Sequence, residues 1–269
     1  MHPILFEIRG FPVYTYGVLL AAAYLVALQF ALVRAKSRGL DPNRVMDLGI
    51  WIIISALAGA KLLLLVVDFD TFGRHPADWL KLMRSAGVFY GGLIAAVVVA
   101  LFYLWRHRMP IWTVTDVFAP GIALGHVIGR FGCLFAGCCF GRPTSVPWAI
   151  TFHSEYAGQN VGTPLGVPLH PTQIYEAGAE LLILGFLLLS ERRGRAFPGR
   201  TFWSYMLLYG VSRFIIEFYR GDNRGSLGMF STSQVVSLVV VPLAIVMLLI
   251  LRRSSSPTPV EAERRARAA

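Results

Sequence analysis

The stretch GHVIGRFGCLFAGCCFGRP, Gly125–Pro143, sets a permanent charge, Arg130, directly after an apolar run and among Gly125, Gly129, Gly132, Gly137 and Gly141. A guanidinium near hydrocarbon is costly, and in a membrane chain its default reading is functional. Glycine lets a backbone approach a ligand closely, and the planar fork of donors suits a phosphate. In such a setting phospholipid phosphate is the ligand nearest to hand.

Whether the setting is a membrane is decided by what lies around that stretch. The 269 residues are 55% hydrophobic with a mean hydropathy of +0.59, too apolar for an ordinary soluble domain. Apolar runs of about 20 residues, the length that crosses a bilayer as a helix, recur along the chain. They predict spans at Tyr14–Val33, Asp47–Val67, Gly87–Trp105, Val114–Ile128, Thr172–Ser190, Thr201–Phe218 and Thr232–Leu251. The fourth is short and interrupted by Pro120, Gly121 and Gly125. The segment before the first, MHPILFEIRGFP, lacks a basic n-region, so the first run reads as a helix and not as a signal peptide.

The expected fold is therefore an all-α polytopic membrane protein of seven transmembrane helices. Lys and Arg set the orientation. Arg34, Lys36, Arg38 and Arg44 follow span one, Arg106 and Arg108 follow span three, and Arg192, Arg193, Arg195 and Arg200 follow span five. With Arg252, Arg253, Arg264, Arg265 and Arg267 of the tail these make 15 of the 25 basic residues. The opposite side holds Arg9, Arg74, Lys81, Arg84, Arg130, Arg142, Arg220 and Arg224. The rule places the N-terminus outside and the C-terminus in the cytoplasm. Residues 1–255 read as one transmembrane domain and 256–269 as a disordered basic cytoplasmic tail. The net charge of +10 then reflects topology and attraction to anionic membrane lipids, with no nucleic-acid partner.

Polar residues gather toward the predicted outer side. Tyr14 and Tyr16 open span one, Tyr90-Gly91-Gly92 opens span three, and Arg130 to Arg142 follows span four. His170-Pro171-Thr172-Gln173, with Tyr175 and Glu176, opens span five, and Glu217 to Asp222 closes span six. Five segments thus bring titratable groups to one membrane face, enough to form a shared polar cavity. Plainer readings exist for each. The tyrosines suit an interfacial belt, and Thr172 reads as an N-cap after Pro171, with Glu176 one turn on. Arg213, Glu217 and Arg220 share one helix face, where Arg213 and Glu217 could be structural while Arg220 at the helix end reads as a ligand group, and Lys61 within span two calls for a structural partner. Between Arg130 and His170 the turn formers Pro143, Pro147, Gly158, Gly162, Pro164, Gly166 and Pro168, with WAITF as a short strand, predict a small outer-face head between spans four and five.

Cys133, Cys138 and Cys139 are the three cysteines of the chain. A Cys138–Cys139 bridge would be strained, whereas Cys133 could reach either of the others across a turn at Gly137. A metal would need a fourth ligand such as His126 or His153, and the spacing matches no standard zinc signature, so no metal is expected. A nucleophilic thiol beside Arg130 and simple packing of small residues are the other readings.

Tyr16-Gly17, Gly91-Gly92-Leu93, the G-R-x-G of Gly129–Gly132 with its glycine-rich continuation to Gly141, HPTQIYE at His170–Glu176 and EFYRGD at Glu217–Asp222 occur in an order that resembles the phosphatidylglycerol–prolipoprotein diacylglyceryl transferases. The resemblance covers nearly the whole chain. It implies a bacterial inner-membrane enzyme, with its site toward the outer face and no cofactor. Such an enzyme moves the diacylglyceryl group of phosphatidylglycerol to the lipobox cysteine of a prolipoprotein signal peptide and releases glycerol phosphate. It assigns catalytic roles to Arg130, Arg220, Tyr90 and His170. Substrate binding falls to Arg130, Tyr16, Gly91, Gly92, Gly141, Glu176 and Glu217. The chain departs from the family at Cys133, where Asn is common, at Cys138, where Glu is common, and at Tyr90, where many members carry His. The alternatives are a paralogue with a different acceptor and a non-catalytic lipid-binding or redox membrane protein.

Overall fold

A computed structural model describes residues 2–8, 10–73, 79, 82–83, 87–193, 197–222 and 225–255. The predicted tail of 256–269 lies outside the described residues, as do Arg9, Arg74, Lys81, Arg84, Arg195 and Arg224 of the charge pattern. The chain forms two compact units, Met1–Phe30 with Thr115–Ala269, and Ala31–Val114.

The chain opens with a hairpin the apolar pattern did not foretell: β1 (Ile4–Ile8) pairs antiparallel with β2 (Phe11–Tyr14) around Gly10, whose φ of 81° suits glycine. Helix α1 (Thr15–Ser37) follows directly. Next come α2 (Pro42–Val67), the single turn α3 (Phe69–Phe72), α4 (Phe89–Arg106) and α5 (Ile111–Ala136). After a head segment come α7 (Thr172–Arg193), α8 (Arg200–Glu217) and α9 (Thr232–Ser254). Among the described residues six helices, α1, α2, α4, α5, α7 and α9, are long and apolar enough to cross a membrane. The protein is a multi-pass membrane protein. The predicted sixth span is present as the 18-residue α8, a more polar helix that falls outside that set.

Several helices outrun their apolar runs because their ends are polar and capped. α2 begins five residues earlier than predicted, where Asp41 accepts from the Asn43 amide and Pro42 fills the first turn. The short, broken fourth span is corrected to a continuous 26-residue helix. Pro120 removes a single backbone bond, and the neighbouring glycines serve helix packing. A Cβ on Gly121 would lie 2.7 Å from the Ala27 carbonyl oxygen, and one on Gly125 would lie 3.2 Å from that of Ala23. Small residues let α5 and α1 approach backbone to backbone, which substitutes for a hydrophobic drive between helices in lipid. Arg130 and Cys133 are accordingly helical residues, not loop residues after a span.

In the second unit the same device joins α2 and α4. Gly91 packs against the Gly59 carbonyl and Leu63, and Gly92 sets its Cα opposite the Ala56 carbonyl, 2.8 Å from where a Cβ would stand. Lys61 finds the structural partners expected of it, donating to the carbonyls of Leu82 at 2.7 Å and Met83 at 3.3 Å.

In the first unit, α5, α7 and α8 share a core of Ala119, Ala123, Ile183, Leu184, Leu187 and Tyr205. The start of α8 is held by a residue of another helix. Buried Asp116 on α5 accepts from the Gly199 amide at 2.7 Å and from Phe202 at 2.8 Å. Those are N–H groups that α8 itself cannot satisfy. The head spans residues 137–171. Its sheet is two residues per strand, β3 (Ile150–Thr151) on β4 (Pro168–Leu169), shorter than WAITF suggested. A seven-residue helix, α6 (Glu155–Val161), capped by Ser154 and closed by Gly162 at φ 73°, completes it over a core of Phe140, Phe152 and Leu169. Strands β5 (Ser226–Leu227) and β6 (Phe230–Ser231) form a last hairpin before α9.

Candidate active site

The site is built where three backbone segments cross. Gly141 donates to the His170 carbonyl and His170 to that of Arg142, both at 3.0 Å. Arg142 donates to the Tyr219 carbonyl at 2.8 Å and Gly221 to that of Phe140 at 3.0 Å. At the crossing Gly141 has no room for a side chain: a Cβ would collide with the His170 carbonyl and stand 2.9 Å from the Tyr219 oxygen. The Arg142 Nε also donates to the Arg220 carbonyl at 3.0 Å. The head, the start of α7 and the end of α8 are thus fixed to one another by backbone.

The start of α7 corrects one expectation. Thr172 does not cap its own helix; its hydroxyl donates to the Cys139 carbonyl at 2.6 Å, while Gln173 Nε2 donates to that of Cys138 at 2.7 Å. One turn further, on the same face, Glu176 is 4% exposed and receives three arginines. Arg130 Nη2 lies 2.7 Å from its Oε2, and Arg213 Nη1 and Arg220 Nη1 lie 2.6 and 2.8 Å from its Oε1. Arg213 also reaches Glu217 at 2.7 Å and donates to Ser233 of α9 at 3.0 Å. Arg220 stands 3.9 Å from Glu217 and binds the Asp222 carboxylate at 2.7 and 2.9 Å. Burial disfavours the Arg220 charge, but its hydrogen bonds to Asp222 and the field of Glu176 outweigh it and hold its pKa above the ordinary value.

Charge arithmetic explains how the fold tolerates this: three guanidiniums face three carboxylates, so the cluster is neutral as a whole. Arg213 and Arg220 make charge-assisted hydrogen bonds to Glu176, as Arg220 does to Asp222, and the remaining pairs are close ion contacts; removing one partner of such a buried pair costs about 3–5 kcal/mol. The arrangement gathers donors whose planar forks match phosphate oxygens as well as carboxylate oxygens.

The polar face continues one turn along each helix, and this layer was not anticipated. His126 on α5 contacts buried Glu180 on α7 at 2.7 Å and the Tyr205 hydroxyl of α8 at 3.3 Å. The Tyr209 ring sits 5.3 Å from that of His126. Glu180 Oε2 has no hydrogen-bond partner among the described residues. The signal was available, since His126 precedes Arg130 by four, Glu180 follows Glu176 by four, and Tyr205, Tyr209 and Arg213 step by four.

Of the residues singled out from sequence, Arg130, Glu176, Glu217 and Arg220 meet in one cluster, and Gly141 and His170 frame it through the backbone. His170 Nδ1 lies 3.1 Å from the Tyr175 hydroxyl, which also accepts from Trp148 at 2.7 Å, and its ring meets Tyr219 edge-on at 5.2 Å. Tyr16 on α1 packs beside Gly132, 3.3 Å from where a Cβ would be. Gly129 is different from its neighbours: a Cβ there would meet nothing within 4 Å. Tyr90, Gly91 and Gly92 belong to the second unit, where Tyr90 is 42% exposed and its ring meets Phe89. The three cysteines are free thiols, so the Cys133 bridge is not formed.

A family model described as prolipoprotein diacylglyceryl transferase matches residues 3–250. The phosphatidylglycerol–prolipoprotein diacylglyceryl transferase of Clostridium tetani is 36% identical over 246 residues, 91% of this chain and 96% of that protein. Transferase 2 of Clostridium perfringens is 31% identical over 241 residues, covering 90% and 92% of the two chains. The Trichormus variabilis transferase is 30% identical over 262 residues, covering 96% and 92%. The arginine cluster thus sits in a chain matched almost end to end, and that chain belongs to the prolipoprotein diacylglyceryl transferase family.

Proposed function

We propose that this protein transfers the diacylglyceryl group of phosphatidylglycerol to the cysteine thiol of a prolipoprotein lipobox, and that the arginines on Glu176 hold the lipid phosphate. The convergence of Arg130 and Arg220 on one carboxylate carries this reading, because two donors that share a carboxylate can share a phosphate. In the reaction the thiolate sulfur attacks the glyceryl carbon that bears the phosphate ester. The carbon–sulfur bond forms as the carbon–oxygen bond breaks, and the bond electrons leave on the phosphate oxygen. A singly charged diester becomes a doubly charged glycerol phosphate. Guanidiniums already in place stabilise that growing charge without reorganising water; loss of one such donor costs about 10²–10³ in rate.

The thiol proton goes to His170, which Tyr175 and Tyr219 hold beside the backbone crossing. The His126–Glu180 pair is a second acceptor one turn deeper along the cluster. Tyr16, Gly129 and Gly141 shape the approach of the headgroup, with Glu217 tuning Arg213. Tyr90, exposed at the start of α4, is the substrate contact of the second unit, and Gly91 and Gly92 serve it by packing α4 against α2. α8 crosses the membrane as a seventh span, since its charged face is turned to Glu176 and Ser233 and not to lipid. The charge pattern supports an N-terminus outside, a cytoplasmic C-terminus and a site facing outward in the bacterial inner membrane.

Arg130→Ala is the decisive variant. In a strain depleted of its own transferase it is expected to lose prolipoprotein lipidation while still folding into the membrane, with lipidation scored per molecule of protein present. Full rescue by Arg130→Ala would overturn the assignment.

A further inference from the structure

The cysteines Cys133, Cys138 and Cys139 bring their Sγ atoms within 4.8 Å of one another, and all three are free thiols. The convergence is built by the backbone. Cys133 lies in the last turn of α5, Gly137 reverses the chain at φ 80°, and Cys139 is held at φ 63°, a left-handed conformation that strains a non-glycine residue. The strained turn is fastened from outside by Thr172 on the Cys139 carbonyl and Gln173 on the Cys138 carbonyl. Cys133 and Cys139 are buried, while the half-buried Cys138 gives a path from the surface.

We propose that these thiols form a binding site for a soft d10 metal ion of the copper(I) type. Three sulfur donors and no carboxylate or imidazole among them select such an ion, whereas zinc asks for a fourth ligand. Trigonal metal–sulfur bonds of about 2.3 Å put the sulfurs about 4 Å apart, so side-chain rotation alone closes the site. On binding, each sulfur–hydrogen bond is exchanged for a sulfur–metal bond and its proton passes to water. A copper(I) trithiolate carries two negative charges. Arg130, whose Nη1 is 3.8 Å from Cys139 Sγ, faces that charge while sharing its own with Glu176.

The test is a copper(I) titration of the full-length reduced protein in detergent, against a competing chelator, with X-ray absorption on the product. One ion per chain with three sulfur neighbours is the expected result. Cys138→Ser, at the half-buried position, lowers affinity by at least about tenfold with an unchanged unfolding profile. The triple Cys→Ser variant retains no ion. Copper retained by the triple variant, fewer than three sulfurs in the wild-type spectrum, no ion on the folded wild type, or tighter binding of zinc(II) than of copper(I) would each overturn the assignment.

Discussion

Replacing Glu176 by glutamine keeps the side chain's shape and removes its charge. The three guanidiniums then face only Glu217 and Asp222, and the buried cluster carries a net positive charge. The amide oxygen can still accept from one arginine, so the loss is smaller than three separate charge-assisted bonds, each about 1.5–3 kcal/mol. A range of about 3–5 kcal/mol, that of a broken buried pair, is the reasonable expectation. At roughly 2–4 °C per kcal/mol for a chain of this size, Glu176→Gln should unfold about 6–20 °C below the wild type in detergent. Phosphatidylglycerol should reverse part of that. A singly charged phosphate restores the missing charge, so added lipid should raise the variant's unfolding temperature more than the wild type's, whereas an uncharged diacylglycerol should not. Intrinsic-fluorescence melting with and without each lipid reads both quantities. An unchanged melting temperature would mean the three arginines do not depend on Glu176. A lipid-induced rise no larger than the wild type's would mean the phosphate does not take the carboxylate's place.

Four further outcomes are expected. Asp116→Ala leaves two amides of the α8 start unsatisfied and should cost about 1–3 kcal/mol in thermal unfolding, with little change in per-molecule transfer rate. Gly141→Ala drives a Cβ into the His170 carbonyl and should lose both stability and transfer, whereas Gly129→Ala, with open space at its Cβ, should fold normally and change only lipid KM. His170→Gln should lower the transfer rate measured at saturating lipid, while His126→Gln should lower it less; the reverse order would move the proton to the deeper pair. Contacts with the Cys133 and Cys139 thiols, then burial, push the Cys138 thiol up, so less thiolate is present at a given pH. Its alkylation at about pH 8.5, where an ordinary thiol is half ionised, should lag a small-molecule thiol and catch up only in more alkaline solution.

Long apolar runs made the membrane helices legible, because crossing hydrocarbon leaves few alternatives to a helix. Spacing made part of the cluster legible as well: Arg213, Glu217 and Arg220 had to share a face, and Glu176 stood one turn past Thr172 on its own helix. What spacing could not say is that Thr172 would reach for the Cys139 carbonyl, since an N-cap serine or threonine and a tertiary donor look alike in one dimension. Asp116 was hidden for a similar reason. A lone carboxylate in an apolar helix announces a partner, and that partner was the backbone of α8, some eighty positions away. The N-terminal hairpin went unread because the alternation in ILFEI is too short to separate from the apolar helix that follows. The fourth span looked short because proline and glycine were counted as breakers, when in lipid the glycines are the surface on which α5 meets α1.

The neutrality of the arginine cluster bears on how such a site can work within a membrane. An unpaired guanidinium held ready for lipid would be costly to bury, and three would be prohibitive. Pairing them with Glu176, Glu217 and Asp222 keeps the resting protein stable and fixes the donors in direction. In the reaction proposed above, the arrangement also sets a preference between states. A singly charged phosphodiester gains only what it can draw from donors already shared with Glu176. The leaving phosphate, which takes on a second charge as the carbon–oxygen bond breaks, competes for the same donors on better terms. The exchange from carboxylate to phosphate is therefore most favourable late, when charge has built up, and this is the condition for binding energy to speed a reaction and not merely to hold its substrate. On that reasoning Glu176 positions the guanidiniums and restrains them as well. Weakening the restraint in Glu176→Gln should tighten lipid binding more than it speeds transfer.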